Sequence, residues 1–223
     1  MSDHHWPNDH EPLLFDTIHT LRAMRRLKAD PVPRELIRKV LAAGVCAPSG
    51  QNTQPWAFVV LDDPSTKQFF GTRYLGAMEK AFGERLRLSA HEHSSNARTI
   101  RAAYHLAQHM HEAPVILLVC GRRDWPFAVP TERRVGKAPP SYGSVYPCVQ
   151  NILLACRGLG LGASLTTLHQ MFADELCEHL EIPDEFGIVA AIPIGYPSGE
   201  FGPVSRQDPV NVTFFDRWGV KSN

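Results

Sequence analysis

No charge of one sign dominates this chain. Lysine plus arginine number 23 and aspartate plus glutamate 23, so the formal net charge is zero with histidine neutral. A general nucleic-acid or membrane-surface binder needs a basic excess, and its absence argues against both partners. No apolar run approaches the roughly 20 residues of a membrane span. The first residues, Met1 to Pro7, carry neither the basic nor the apolar region of a secretory signal. Cysteine is scarce: Cys46, Cys120, Cys148, Cys156 and Cys177 are scattered, odd in number and form no C-x-x-C. They read as reduced thiols, so a cytoplasmic location is expected. No repeat or low-complexity block is visible, and no Ser-His-Asp or Cys-His pattern stands out as a catalytic constellation. A chain of 223 residues suffices for one sizeable core but does not clearly divide in two. The expectation is a single domain over 1–223, with 1–12 as a tail and 198–223 as a C-terminal arm.

What is present is organised around one loop, Cys46-Ala47-Pro48-Ser49-Gly50-Gln51-Asn52-Thr53-Gln54-Pro55-Trp56. Before it, Leu36, Ile37, Val40, Leu41 and Gly44 mark the stripe of an amphipathic helix. After it, Trp56 to Leu61 is a short apolar run rich in β-branched and aromatic residues, and reads as a buried strand. Pro48 and Pro55 restrict the backbone at both ends. Ser49, Gln51, Asn52 and Gln54 offer donors and acceptors without net charge, which suits a neutral, multi-edged polar ligand such as a heterocycle. An ordinary turn is the alternative, because these are turn residues.

Upstream, the spacing of Leu14, Ile18, Leu21, Met24 and Leu27 predicts a first helix over 13–27, with Arg22, Arg25 and Arg26 near its C-terminal end. Three arginines within five positions are either a solvated basic face or a clamp for a phosphate, since guanidinium presents a fork of donors.

The loop A-P-S-G-Q-N-x-Q-P-W-x-F, together with Arg22-Ala23-Met24-Arg25-Arg26-Leu27, resembles the nitroreductase family of FMN-dependent oxidoreductases. The resemblance runs from about Thr17 to Trp218, most of the chain. It implies an α+β fold: a mostly antiparallel central sheet of about four or five strands flanked by helices, in a swapped-arm homodimer with two FMN sites at the interface. It implies that Arg22 and Arg26, with Arg25 close behind, contact the phosphate or ribityl chain of FMN. The common pattern has serine where this chain has Ala23, which removes one hydroxyl contact. Pro48, Ser49, Gln51 and Asn52 are implied at the ribityl and pyrimidine edges. Thr166 or Thr167, at the end of a strand read over 164–168, is implied to offer a backbone N–H to flavin N5. Arg206 is implied as a second phosphate contact from the C-terminal segment.

Several further features are read from the residues. His105 and His109, at i and i+4, have the spacing of a metal pair, but the H-E-x-x-H order is missing and no metal site is expected. Residues 67–89, 97–111 and 171–180 read as helices, and 114–120 and 186–197 as strands. Gly121 to Pro140 reads as a loop with five basic and two acidic residues, either a solvated connector or a pocket wall that meets the phosphates of a nicotinamide cofactor. Ser141 to Leu159 reads as a long helix, apolar nearly all round, as for a helix covered by a partner as well as by its own sheet. Gly158-Leu159-Gly160-Leu161-Gly162 follows a helix and precedes a strand, the reverse of a dinucleotide fingerprint, and is better explained as a left-handed cap. Phe214, Phe215 and Trp218 would be exposed on an arm unless a second subunit buries them.

The function implied is hydride transfer from NAD(P)H to flavin N5, then electron delivery to a small oxidant such as a nitroaromatic or quinone, with ping-pong kinetics. The flavin carries the chemistry, so no side chain needs to be acid, base or nucleophile. A non-catalytic FMN-binding or sensing protein on the same scaffold is the alternative.

Overall fold

The computed structural model describes residues 13–123 and 142–220. In chain order the described elements are α1 (Leu13–Thr20), α2 (Arg34–Val45), β1 (Trp56–Leu61), α3 (Pro64–Ser89), α4 (Ser95–Gln108), β2 (Val115–Arg122), α5 (Tyr142–Gly158), β3 (Gly162–Ala163), α6 (Ala173–His179) and β4 (Phe186–Gly195). The strands form one antiparallel sheet in the order β1-β2-β4-β3. This is the expected α+β architecture.

The sheet is covered on both faces, so β2 from Val115 to Gly121 and β4 are apolar and buried, apart from the partly exposed Phe186, and only Arg122 at the end of β2 is exposed. Side chains alternate across it. Val115, Leu117 and Val119 pack with Val40 of α2 and Val149 and Ile152 of α5. Ile116, Leu118 and Cys120 face Phe70 of α3, Leu106 of α4 and Leu176 of α6. α3 is started by Asp63, whose carboxylate accepts the Thr66 N–H at 2.9 Å and the Ser65 hydroxyl. Those bonds hold the Asp63 pKa down to about 2. α3 and α4 together form the connection between two neighbouring strands, β1 and β2. Burial pushes the Cys120 and Cys156 thiols up to about 12 and Cys148 to about 11.

Two expected elements differ. The first helix ends at Thr20, not at Leu27. From there the chain is extended and lies on the β3 edge of the sheet: the Met24 N–H donates to the Ala163 carbonyl (3.0 Å), the Lys28 N–H to Tyr196 (2.8 Å), and Leu27 bridges Pro197. The apolar spacing satisfied a helix, but pairing with the sheet edge gives the same backbone groups partners in the core. Gly162 permits the approach, since a Cβ there would lie 2.9 Å from Leu27 Cδ2 and 3.0 Å from Met24 Cβ. The strand expected over 164–168 is not formed: β3 ends just before it at Ala163, only a single bridge of Thr166 to Ala191 pairs within it, and Leu168–Phe172 turns as a 3-10 helix.

The glycine-rich stretch is a helix terminus. α5 stops at Gly158, and Gly160 takes a φ of 73°, as a left-handed cap requires. The loop expected over 121–140 falls almost wholly in residues 124–141, outside the described residues, as does the tail over 1–12. No helix among the described residues is long and apolar enough to cross a membrane.

Candidate functional site

Arg25 and the two threonines converge on one cavity of about 450 Å³, where the edge of the sheet meets α3 and α4. The extended segment 21–27 delivers Arg25, the end of β3 delivers Ser164, Thr166 and Thr167, and the Leu168–Phe172 turn delivers Gln170. The opposite wall is apolar: Met78 and Phe82 from α3, Ile100 and Ala103 from α4. Arg25 is the only charged group on the described lining. Among the described residues no carboxylate pairs with it. Burial draws the guanidinium pKa below its ordinary value, Tyr74 pulls it back up, and Arg22 lowers it again. A half-buried cation without an anionic partner invites a ligand that brings one, or brings acceptors.

The Thr166 backbone is fully engaged. Its N–H donates to the Ala191 carbonyl and its carbonyl accepts the Ala191 N–H, both at 2.9 Å. A backbone N–H aimed at a ligand therefore has to come from Thr167, whose N–H meets no acceptor among the described residues. Thr166 and Tyr74 both line the cavity, and the Thr166 hydroxyl lies 2.7 Å from the buried Tyr74 phenol. Beneath this corner His169 is wholly buried. Its Nε2–H donates to the Ile188 carbonyl at 3.1 Å, and Nδ1 has no hydrogen-bond partner among the described residues. Burial lowers the imidazole pKa, against the pull of the Ile188 and Thr166 carbonyls.

The other expected cations are not on the described lining of this cavity. Arg22 and Arg26 are exposed on the same extended segment. The C-terminal segment joins the end of α1 through the Val204 N–H, which donates to the His19 carbonyl at 3.2 Å. Arg206, two residues on, is exposed, and its Nη1 donates to the Ser205 carbonyl at 2.8 Å.

The loop Pro48–Asn52 is not beside them. It precedes β1, at the opposite edge of the sheet. Thr166 is level with Ala191, which aligns with Leu118 and then Val59, so three interstrand steps, roughly 14 Å, separate the two edges. The loop is nonetheless unusual. Gln51, Asn52 and Gln54 all have positive φ (52°, 54° and 48°) without being glycine. Left-handed backbone at such residues costs energy and tends to occur at ligand sites. Two serines hold it: Ser49 Oγ accepts the Gln54 N–H (3.0 Å), and Ser144 Oγ, from the first turn of α5, accepts the Gly50 N–H (3.3 Å).

Nothing in the sequence marked Tyr74. It lies on a helix read as charge-rich, and its partner Thr166 is 92 residues away. Its only local signal is the i+4 spacing from Phe70, on which it stacks.

A groove of about 530 Å³ runs along the other edge, lined by Val32, Ile37, Leu41, Val60, Pro114 and Val115. Its rim charges are largely spent within the protein: Arg34 pairs with Asp62 at 2.7 Å, and Lys67 Nζ donates to the Ala113 carbonyl at 2.9 Å. It offers apolar surface rather than an ion site.

The chain is 30% identical over 186 residues to an iodotyrosine deiodinase of Thermotoga neapolitana, covering 83% of this chain and 89% of that protein. It is 27% identical over 210 residues to an NADH dehydrogenase of Thermus thermophilus, covering 83% and 87%. The crystal structure of a putative nitroreductase in complex with FMN from Desulfovibrio desulfuricans superposes with a TM-score of 0.63 at 26% identity, over 94% of this chain and 99% of that one. A sequence profile of the nitroreductase family matches residues 18–196, which take in the strained loop, the Arg25 segment and the Thr166 corner together, and the chain belongs to that family of oxidoreductases.

Proposed function

We propose that the protein is an FMN-dependent oxidoreductase whose flavin lies against the Arg25–Thr166 corner. The observation that carries this reading is Arg25 itself: a half-buried guanidinium, without a carboxylate among the described residues, in one cavity with Thr166 and Thr167. A flavin fits that donor set, because its pyrimidine edge and N5 are acceptors and its ring needs an apolar wall. Held beside Arg25, Thr166 and Thr167, FMN would supply the redox chemistry, hydride transfer from NAD(P)H and electron delivery to a small oxidant such as a nitroaromatic or a quinone.

The protein's part is position and electrostatics. Arg25 stabilises negative charge on the edge it faces, in a site with little water to screen it. Arg22, Arg26 and Arg206 supply positive charge for the phosphate from both ends of the chain. Thr166 and Thr167 direct donors to the reacting edge. Pro48, Ser49, Gln51 and Asn52 stand about three strands away in the same chain, so they reach a shared ligand only from a second copy. A homodimer supplies that loop. It also gives the apolar groove beside β1 an occupant, the partner's C-terminal arm, on which Phe215 is exposed and Trp218 is 91% exposed. A protein that sediments as a monomer at micromolar concentration would refute the shared site.

The similarity to iodotyrosine deiodinases favours reductive dehalogenation as a second reading. An iodotyrosine brings an ammonium group as well as a carboxylate, and the described lining of the cavity offers it no carboxylate.

The test is the visible spectrum of the purified protein, followed by anaerobic NADPH and then NADH. A flavin spectrum that bleaches on addition is expected, and the faster donor names the electron source. A flavin spectrum that does not bleach turns the reading to a binding protein, and a chain that stays colourless after incubation with FMN overturns it.

A further inference from the structure

Tyr74 belongs to the cavity without belonging to any part of the reading above. It is 6% exposed, stacked on Phe70 at 5.8 Å between ring centroids, and its hydroxyl lies 2.7 Å from Thr166 Oγ1. The other neighbour of that oxygen is the Leu168 N–H, which donates to it at 3.4 Å. A hydroxyl has one donor and two acceptor positions. A phenol is the more acidic of the two hydroxyl types and so the better donor. With the phenol O–H and the Leu168 N–H both given to Thr166 Oγ1, its acceptor positions are filled. The remaining Thr166 O–H then has to donate elsewhere. The Thr166 backbone groups are already bonded to Ala191, so the open direction is the cavity.

We propose that Tyr74 is a positioning residue, whose phenol commits the Thr166 hydroxyl to act as a donor into the cavity. The proposal rests on the cavity being the flavin site. On that basis it sets a polarity: the corner presents hydrogen-bond donors from Arg25, Thr166 and the Thr167 N–H, and so favours a ligand atom with a lone pair. Without the phenol, the Thr166 hydroxyl is free to turn, and the corner no longer distinguishes an acceptor from a donor. Burial raises the Tyr74 pKa, with the Thr166 bond and Arg25 opposing, and a phenol that stays protonated retains its donor role.

Tyr74→Phe, Thr166→Val and the double variant, each in the full chain, test this. FMN affinity is read by quenching of flavin fluorescence, the environment of the ring by the position of its visible absorption bands, and folding by melting without flavin. Each single variant is expected to weaken FMN binding roughly three- to tenfold and to move the bands in the same direction. The double variant is expected to be no weaker than either single one, because both remove the same bond. Thr166→Ser, which keeps the hydroxyl, should restore both readouts. Tyr74→Phe with wild-type affinity and bands would overturn the positioning role alone. So would losses that add in the double variant, or a lower melting temperature with unmoved bands. If Tyr74→Phe does not fold, wild-type bands in Thr166→Val would overturn the proposal by themselves. A wild-type chain that takes up no FMN would overturn it together with the flavin reading.

Discussion

Removing the guanidinium of Arg25 should separate it from its two neighbours in sequence. Arg25 is half-buried and lines the cavity, while Arg22 and Arg26 are exposed. A hydrogen bond to a charged group in such a place contributes about 1.5–3 kcal/mol, which is roughly a ten- to 150-fold change in Kd. An exposed charge contributes about 0.2–1 kcal/mol, so Arg22→Ala or Arg26→Ala should change FMN affinity by roughly fivefold at most. The assay is titration of deflavinated protein with FMN, followed by fluorescence quenching, at low salt and again at about 1 M NaCl, where the Debye length falls to roughly 3 Å. The contribution of Arg22 should fade at high salt and that of Arg25 should largely persist. Alanine at 25 without effect, or a larger loss at 22 than at 25, would refute the placement of the flavin edge beside Arg25.

Two further outcomes follow from strain and burial. Gln51→Gly removes a side chain from a φ of 52° and should stabilise the protein by up to about 1 kcal/mol, while FMN affinity falls; unchanged affinity with higher stability would show that the Gln51 side chain makes no ligand contact. His169 bears on the pH dependence of stability. Its folded pKa is depressed below 6.5 by burial, so below that pH the unfolded chain takes up a proton that the folded chain does not. Stability from this group is therefore lost as pH falls from 6.5, with a slope of at most about 1.4 kcal/mol per pH unit. His169→Gln should flatten the decline of melting temperature between pH 6.5 and 5, and an unchanged decline would assign it to other groups.

The sheet was legible wherever a strand is covered on both faces. Val115 to Cys120 and Phe186 to Ile194 are apolar runs with few competing readings, and their pairing follows. The Arg25 segment was not, for a definite reason. Leu21, Met24 and Leu27 keep helical spacing, yet Met24 and Lys28 find backbone partners in Ala163 and Tyr196, more than 130 residues away in sequence. Edge pairing of that kind has no local signature. The same holds at the site: the arginine and threonine positions were drawn from motifs, whereas Tyr74 becomes visible only through its contact with Thr166. The motif of the loop also concealed a distance. Pro48 to Asn52 and Arg25 read as one site in sequence, but stand at opposite edges of the sheet.

The connection between β1 and β2 has a consequence for how such an enzyme can change. β1 and β2 are direct neighbours in the sheet, and a short hairpin would have served to join them. Instead the chain travels through α3 and α4, whose inner residues Phe70 and Leu106 are buried against the sheet and whose farther residues, Phe82 and Ile100, wall the cavity. The base of this excursion is fixed by the core, while Phe82 and Ile100 lie outside the strands and share the cavity with Arg25. On the proposed reading, substitutions at Phe82 or Ile100 would reshape one wall of the cavity and leave Arg25 and the Thr166–Ala191 pairing in place, so what the cavity admits could change apart from the groups proposed to hold the flavin.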